Sequence, residues 1–184
     1  MIESLINGGC YYFLSRPRRF GKSLLISTLQ SYFEGKRELF KGLHIDRDDV
    51  EWVERPVFKL DFNSAKYQDI EALEAVLRDH LDKWESMYGV GTKEKTLTQR
   101  LAGVLQCAHE KTGHRVAILV DEYDKPMLQA IGNPSLTDDF RDTLKAFYGV
   151  MKGSDLHIKF ALLTGVTKFS KVSIFSDLNN ITNC

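Results

Sequence analysis

Residues Tyr11 to Thr28 read YYFLSRPRRFGKSLLIST, and the turn at their centre governs how the rest of the chain is read. Tyr11–Leu14 is an apolar run long enough for a short buried strand, and from Ser23 to Phe33 apolar residues recur at helical spacing. Between them lies RPRRFGKS. A strand that turns through Gly-Lys-Ser into a helix aims several free backbone N–H groups, and the positive end of the helix dipole, at one point. That point suits a phosphate. Gly21 permits close backbone approach, Lys22 can reach outer phosphates as a mobile point charge, and the Ser23 hydroxyl is placed to ligate a magnesium ion. These are the features of the second half of a Walker A loop. The first half departs from the pattern, because G-x-x-x-x-G-K-[ST] requires glycine where this chain has Arg16. By itself the segment also fits a basic turn with solvated arginines.

A second element lies a hundred residues on, at Val116-Ala117-Ile118-Leu119-Val120-Asp121-Glu122. Five apolar residues followed by two carboxylates predict a buried parallel strand with its acids at the C-terminal end, where open α/β sheets hold their ligands. In that position Asp121 can hold magnesium, and Glu122 can orient and deprotonate a water for attack on a γ-phosphate. Alone, such a strand reads first as a core strand running into a solvated loop. Both elements in this order point to nucleotide binding.

The segments RPRRFGKSLL (16–25), FKGLHI (40–45), VDEYDKP (120–126) and LLTGVTKFSKVSIFSDLNN (162–180) resemble the bacterial AAA-ATPase-like family, which is often fused upstream of a PD-(D/E)XK nuclease-like domain. In that family RPRRFGKS takes the place of the glycine-rich Walker A, so Arg16 agrees with the family though not with the general motif. The resemblance implies an α/β P-loop fold of the ASCE/AAA type that uses ATP and Mg2+. It implies nucleotide contacts from Arg16, Pro17, Arg18, Arg19, Phe20, Gly21, Lys22, Ser23 and Leu24, and metal contacts from Ser23 and Asp121. Catalytic roles fall to Lys22, Glu122 and, as a γ-phosphate sensor, Thr164, with Thr167 as the alternative sensor. ATP over GTP rests on the resemblance, since no N-K-x-D follows the Asp-Glu strand.

Composition bounds the remaining possibilities. The chain has 184 residues, 43% hydrophobic and 27% charged, as expected of one globular domain with a substantial core. Lys plus Arg and Asp plus Glu are both 25, so no net field draws it toward nucleic acid or a membrane. Cys10, Cys107 and Cys184 are odd in number and lack metal-like spacing, which fits free thiols in a reducing cytoplasm. The longest apolar runs, such as Val116–Val120, fall far short of the ~20 residues of a membrane span, and the start lacks a signal-peptide pattern. A cytoplasmic protein is expected.

In chain order, Met1–Gly9 reads as the end of a helix with Ile2, Leu5 and Ile6 on one face. Leu39, Phe40, Leu43 and Ile45 should form an apolar patch packing their loop against the body. Pro56–Phe62 predicts a second strand, with Asp61 and Asn63 as turn-capping residues beyond it. Ile70, Leu73, Leu77, Leu81, Trp84 and Tyr88 share one helix face, and Leu97, Leu101, Val104, Leu105 and Ala108 another. His80, His109 and His114 read as surface residues. Pro126 suits the first turn of a short helix; Gly132–Ser135 reads as a turn, with Thr137 capping a helix through Met151. Ile158–Leu163 is the last strand predicted, ending at Thr164.

The order β, α, β, α, α, β, α, β predicts a parallel sheet with helices on both faces. By analogy with related ATPases, the strand order is P-loop, sensor, Asp-Glu, then the Pro56 strand at an edge. No fifth strand is predicted beyond the P-loop strand, nor a helical lid, so residues 1–184 are expected to form a single P-loop domain incomplete at both ends. Three readings follow: a magnesium-dependent ATPase; an ATP-binding switch or fragment without efficient turnover, awaiting an arginine from another subunit; and, as a lesser alternative, a nucleic-acid contact module using Arg16, Arg18, Arg19 and Lys22. A homo-oligomer or a nuclease-like partner domain is compatible with the first two.

Overall fold

The computed structural model describes residues 2–17, 19–91, 96–166 and 182–183. Helix α1 (Ile2–Gly8) leads into strand β1 (Tyr11–Ser15), followed by α2 (Lys22–Phe33), β2 (Val57–Asp61), α3 (Ile70–Tyr88) and α4 (Leu97–Thr112). Then come β3 (Val116–Asp121), the short α5 (Lys125–Gln129), α6 (Pro134–Gly153), β4 (Ile158–Gly165) and a two-residue strand, β5 (Thr182–Asn183). All strand pairs are parallel, in the order β2-β3-β4-β1-β5. The expected placement of β4 between β1 and β3, with β2 outside β3, is met. The expectation that nothing lies beyond β1 is not: β5 pairs there, Tyr12 opposite Thr182 and Phe13 opposite Asn183. So short a polar strand carries no alternating apolar pattern by which its sequence could announce it.

The alternation of side chains along each strand divides the core into two layers. Phe13, Phe58, Leu60, Ile118, Val120, Ala161 and Leu163 face one way, onto the apolar stripes of α3, α4 and α6. Tyr12, Ala117, Leu119, Phe160 and Leu162 face the other, onto Leu5 and Ile6 of α1 and Ile26, Leu29 and Phe33 of α2. Every residue of β3 is buried, as a central parallel strand covered on both faces requires. Each large side chain so buried contributes roughly 1.5–3 kcal/mol, and α2 is held by three of them. That fixes the helix whose first turn borders the Gly-Lys-Ser loop.

Several local expectations need correction. Phe40 and Ile45 are buried, but Leu39 and Leu43 are 62% and 57% exposed: the short 3₁₀ turn Arg37–Phe40 presents only Phe40 to the core, and Leu43 lies in the loop beyond it. Helix α6 starts at Pro134 with Asn133 as its cap, the Asn133 side chain accepting from the Leu136 N–H. Thr137 lies inside the first turn, donating to the carbonyls of Ala130 and Asn133. The three histidines are not surface residues but half-buried: His80 stacks on Trp84, and His109 Nδ1 lies 3.0 Å from His157 Nδ1. Asp61 does cap its turn, accepting from the Asn63 N–H. No helix among the described residues is long and apolar enough to cross a membrane.

Burial against Trp84, reinforced by the nearby Lys83 charge, lowers the pKa of His80 below its usual 6.5, with Asp61 and Asp79 opposing. The folded state then binds fewer protons here than the unfolded chain, so this contribution to stability is intact above pH 6.5 and is lost as pH falls below it. The expected result is that Tm drops less between pH 7.5 and pH 5.5 in His80→Gln than in the wild type; an equal drop in thermal melts would remove His80 as a source of acid sensitivity.

Candidate functional site

The C-terminal ends of β1, β3 and β4 meet at one corner of the sheet. Beyond Ser15 the chain leaves β1 but not at once: Arg16 N–H still donates to Gly165 O at 3.1 Å, and Ser15 Oγ donates to Val166 O. The loop turns at two left-handed residues, Arg19 (φ 67°) and Gly21 (φ 75°). Glycine adopts this geometry freely, whereas for Arg19 it costs roughly 1–2 kcal/mol. Gly21 is also the N-terminal boundary of α2 and carries no side chain to cap it, which leaves the first-turn N–H groups facing the loop.

Lys22 opens α2 and is 4% exposed. Its Nζ lies 3.1 Å from Glu122 Oε1 and donates to the carbonyls of Arg16 (3.0 Å) and Pro17 (3.3 Å). Ser23 Oγ donates to Asp121 Oδ2 at 2.6 Å, and Thr164 Oγ1 donates to Asp121 Oδ1 at 2.7 Å. The Thr164 hydroxyl in turn accepts from the Glu122 N–H at 3.4 Å, and its carbonyl accepts from the Tyr123 N–H. An ionised carboxylate can only accept, so two hydroxyl donors on Asp121 form a consistent set. Glu122 stands at φ 55°, a left-handed position held on both sides by bonds to Thr164. A cleft of about 220 Å³ opens here, lined by Arg19, Gly21, Lys22, Ser23, Leu24 and Glu122. A larger cavity of about 340 Å³, beside Glu3, Arg47, Arg55 and Lys159, lies at the other end of the strands and of α2; its Arg47 is already paired with Glu3 and Asp49. The smaller cleft is where backbone donors, Lys22 and the Glu122 carboxylate converge, with Asp121 behind Ser23.

Of the residues singled out in the sequence, Gly21, Lys22, Ser23, Asp121, Glu122 and Thr164 are brought together here. Arg16 and Pro17 take part through their carbonyls, while both residues are otherwise exposed. Arg19 and Leu24 border the cleft; Phe20, 68% exposed, is not part of its lining. Arg18 and Thr167 lie outside the described residues. Ser23 and Asp121 supply hard oxygen donors, which fit magnesium better than a softer metal. Two groups escaped the sequence reading. Asp124 is fully buried, its Oδ2 accepting from the Val166 N–H at 2.9 Å. Lys125 Nζ donates to the backbone and side-chain oxygens of Asn63, tying the end of β2 to α5. The only signal for either was the density of charge in DEYDK.

A family model described as a predicted AAA-ATPase matches residues 1–175. The chain belongs to this family. Among curated proteins, an uncharacterized protein in the vnfD 5' region of Azotobacter chroococcum mcd 1 is 43% identical over 178 residues, covering 96% of this chain and 34% of the relative. This AAA-ATPase-like chain therefore spans about a third of the length of that relative. No solved structure matches it.

The corner tolerates little change in shape. A Cβ added at Gly165 would lie 2.3 Å from Tyr123 Cε1 and 2.8 Å from Asp124 Oδ1, both belonging to buried residues. Gly165→Ala is expected to destabilise the fold by about 1–3 kcal/mol, the usual cost of overpacking. Denaturant unfolding measures it, and a midpoint unchanged from wild type would mean the corner is looser than it looks.

Proposed function

We propose that the cleft between the Arg16–Ser23 loop and the end of β3 binds ATP with magnesium and hydrolyses it. One observation carries this reading: Lys22, Ser23, Asp121 and Glu122 converge where α2 begins, beside backbone N–H groups with no side-chain cap. The loop N–H groups and Lys22 would take the phosphates; Ser23 and Asp121 would hold the metal, which when bound neutralises phosphate charge. Glu122 would accept a proton from a water attacking the γ-phosphorus, while the bond from that phosphorus to the bridging oxygen breaks and ADP leaves. Thr164 would keep Asp121 and the Glu122 backbone in register with each other.

One feature favours a second reading, ATP binding without efficient turnover. Glu122 is paired with Lys22, so it is not available as a base until nucleotide draws the lysine away. An arginine from another subunit would then set the rate, a contribution of roughly a thousandfold or more where such fingers act.

Calorimetric titration with ATP, ADP and GTP in magnesium, followed by phosphate release on the same sample, separates the two. Lys22→Ala should weaken ATP binding on the order of 10-fold or more, the equivalent of a charge-assisted contact of about 1.5–3 kcal/mol. Its Tm is measured alongside, since the variant also strips Glu122 of its partner; unchanged affinity in a folded variant would overturn the phosphate-loop reading. In Glu122→Gln, ATP should bind at least as tightly as in wild type, because Lys22 no longer has to leave an ion pair. Phosphate release should fall by about 100-fold or more, and unaltered turnover would deny Glu122 its role as base.

A further inference from the structure

Asp124 is a fully buried carboxylate that does not line the cleft. Burying such a group costs several kcal/mol unless it is well bonded, and one bond it makes is to the backbone at the end of β4. Its Oδ2 accepts the N–H of Val166, two residues beyond Thr164. Around that bond the last residues of β4 are held from every side. Arg16 N–H and Ser15 Oγ fasten the carbonyls of Gly165 and Val166 to β1, while Tyr123 N–H fastens the carbonyl of Thr164 to β3. Gly165 is wedged against the Tyr123 ring and Asp124 Oδ1. The Thr164 hydroxyl is thus aimed by its backbone, and it is this hydroxyl that holds Asp121 Oδ1.

We propose that Asp124 is a positioning residue of the nucleotide site, acting through the Thr164–Val166 corner to keep the Asp121 carboxylate oriented toward its metal. The inference rests on the ATP and magnesium reading above. Asp124 touches neither nucleotide nor metal. Its loss frees Val166, the corner relaxes, and Asp121 keeps Ser23 as a hydroxyl partner but loses a fixed Thr164. Metal-dependent binding suffers, whereas binding carried by Lys22 and the loop N–H groups does not. A merely structural carboxylate would affect both alike.

The test is ATP titration by calorimetry in magnesium and again in EDTA, on wild type, Asp124→Ala and Asp124→Asn. In Asp124→Ala the gain in affinity on adding magnesium should shrink by about 10-fold, the scale seen when groups behind a metal ligand are removed, with the EDTA affinity unchanged. Asp124→Asn, whose amide oxygen still accepts from Val166, should retain most of the gain. An alanine variant with the wild-type gain, or an asparagine variant as damaged as alanine, overturns the proposal. Wild type that binds no ATP in either buffer would instead overturn the ATP reading itself. Should the alanine variant not fold, amide hydrogen exchange in the wild type decides. Coupling is reciprocal, so exchange at the Val166 N–H should slow in magnesium-ATP relative to ATP with EDTA; equal rates overturn the proposal.

Discussion

The Thr164 hydroxyl is the interaction on which the site depends. It accepts from the Glu122 backbone and donates to the Asp121 side chain, so one oxygen fixes the last residue of β3 and the carboxylate residue after it relative to β4. The direction of this chain is set by chemistry: an N–H can only donate and an ionised carboxylate only accept, leaving the hydroxyl as the group able to stand between them. Glu122 owes its left-handed backbone to that anchoring, since Tyr123 N–H is drawn to the Thr164 carbonyl immediately after it. The parallel register of the sheet brings these atoms together, with Val120 opposite Leu163 and Leu14 opposite Thr164. A slip of one residue in the β3–β4 pair would turn Thr164 to the face opposite Asp121 and leave Asp121 with Ser23 alone.

The lysine occupies a different balance. Buried with Glu122 and with two loop carbonyls accepting from it, Lys22 is satisfied without any phosphate present. A buried ion pair is weak evidence of stability, because desolvation of both charges offsets much of their attraction. What the pair does provide is a loop held in shape before ligand arrives. Binding would exchange carbonyl and carboxylate partners for phosphate oxygens, an exchange whose net free energy is far smaller than either set of contacts taken singly. On the proposed reading, the same exchange would free Glu122 only once Lys22 had moved, linking its availability as a base to occupancy of the site.

Periodicity made most of the fold legible. The stripes of α3 and α4 and the apolar run of β3 mark elements whose burial is continuous, and they stand where the pattern put them. What failed was decided by geometry that no periodicity records. Leu39 is apolar yet exposed because the 3₁₀ turn Arg37–Phe40 buries Phe40 alone, Leu43 is exposed in the loop beyond that turn, and Asn133 took the cap from Thr137 because Pro134 could start the helix earlier. Strand β5 has too few residues to show any pattern. At the site, strand ends and the Gly-Lys-Ser turn announced Lys22, Ser23, Asp121 and Glu122, but no pattern set Asp124 apart from the charged residues around it. Its burial depends on where β4 ends, a contact across 42 residues of chain.

The departure at Arg16 has a physical account in the same corner. A glycine early in such a loop serves where the backbone must turn at once, but here residue 16 still pairs with β4 through its N–H, so the chain remains strand-like for one residue more. The following Pro17 reinforces this by pushing residue 16 toward extended geometry and fixing its own φ. Among the described residues of the loop, the left-handed positions come later, at Arg19 and Gly21. Glycine is thus dispensable at position 16 because the carbonyls of Arg16 and Pro17, delivered by the extended segment, are the ones that receive Lys22. The arginine run is less a degraded glycine loop than a different way of building one, in which the sheet, rather than a flexible turn, sets the loop's starting direction.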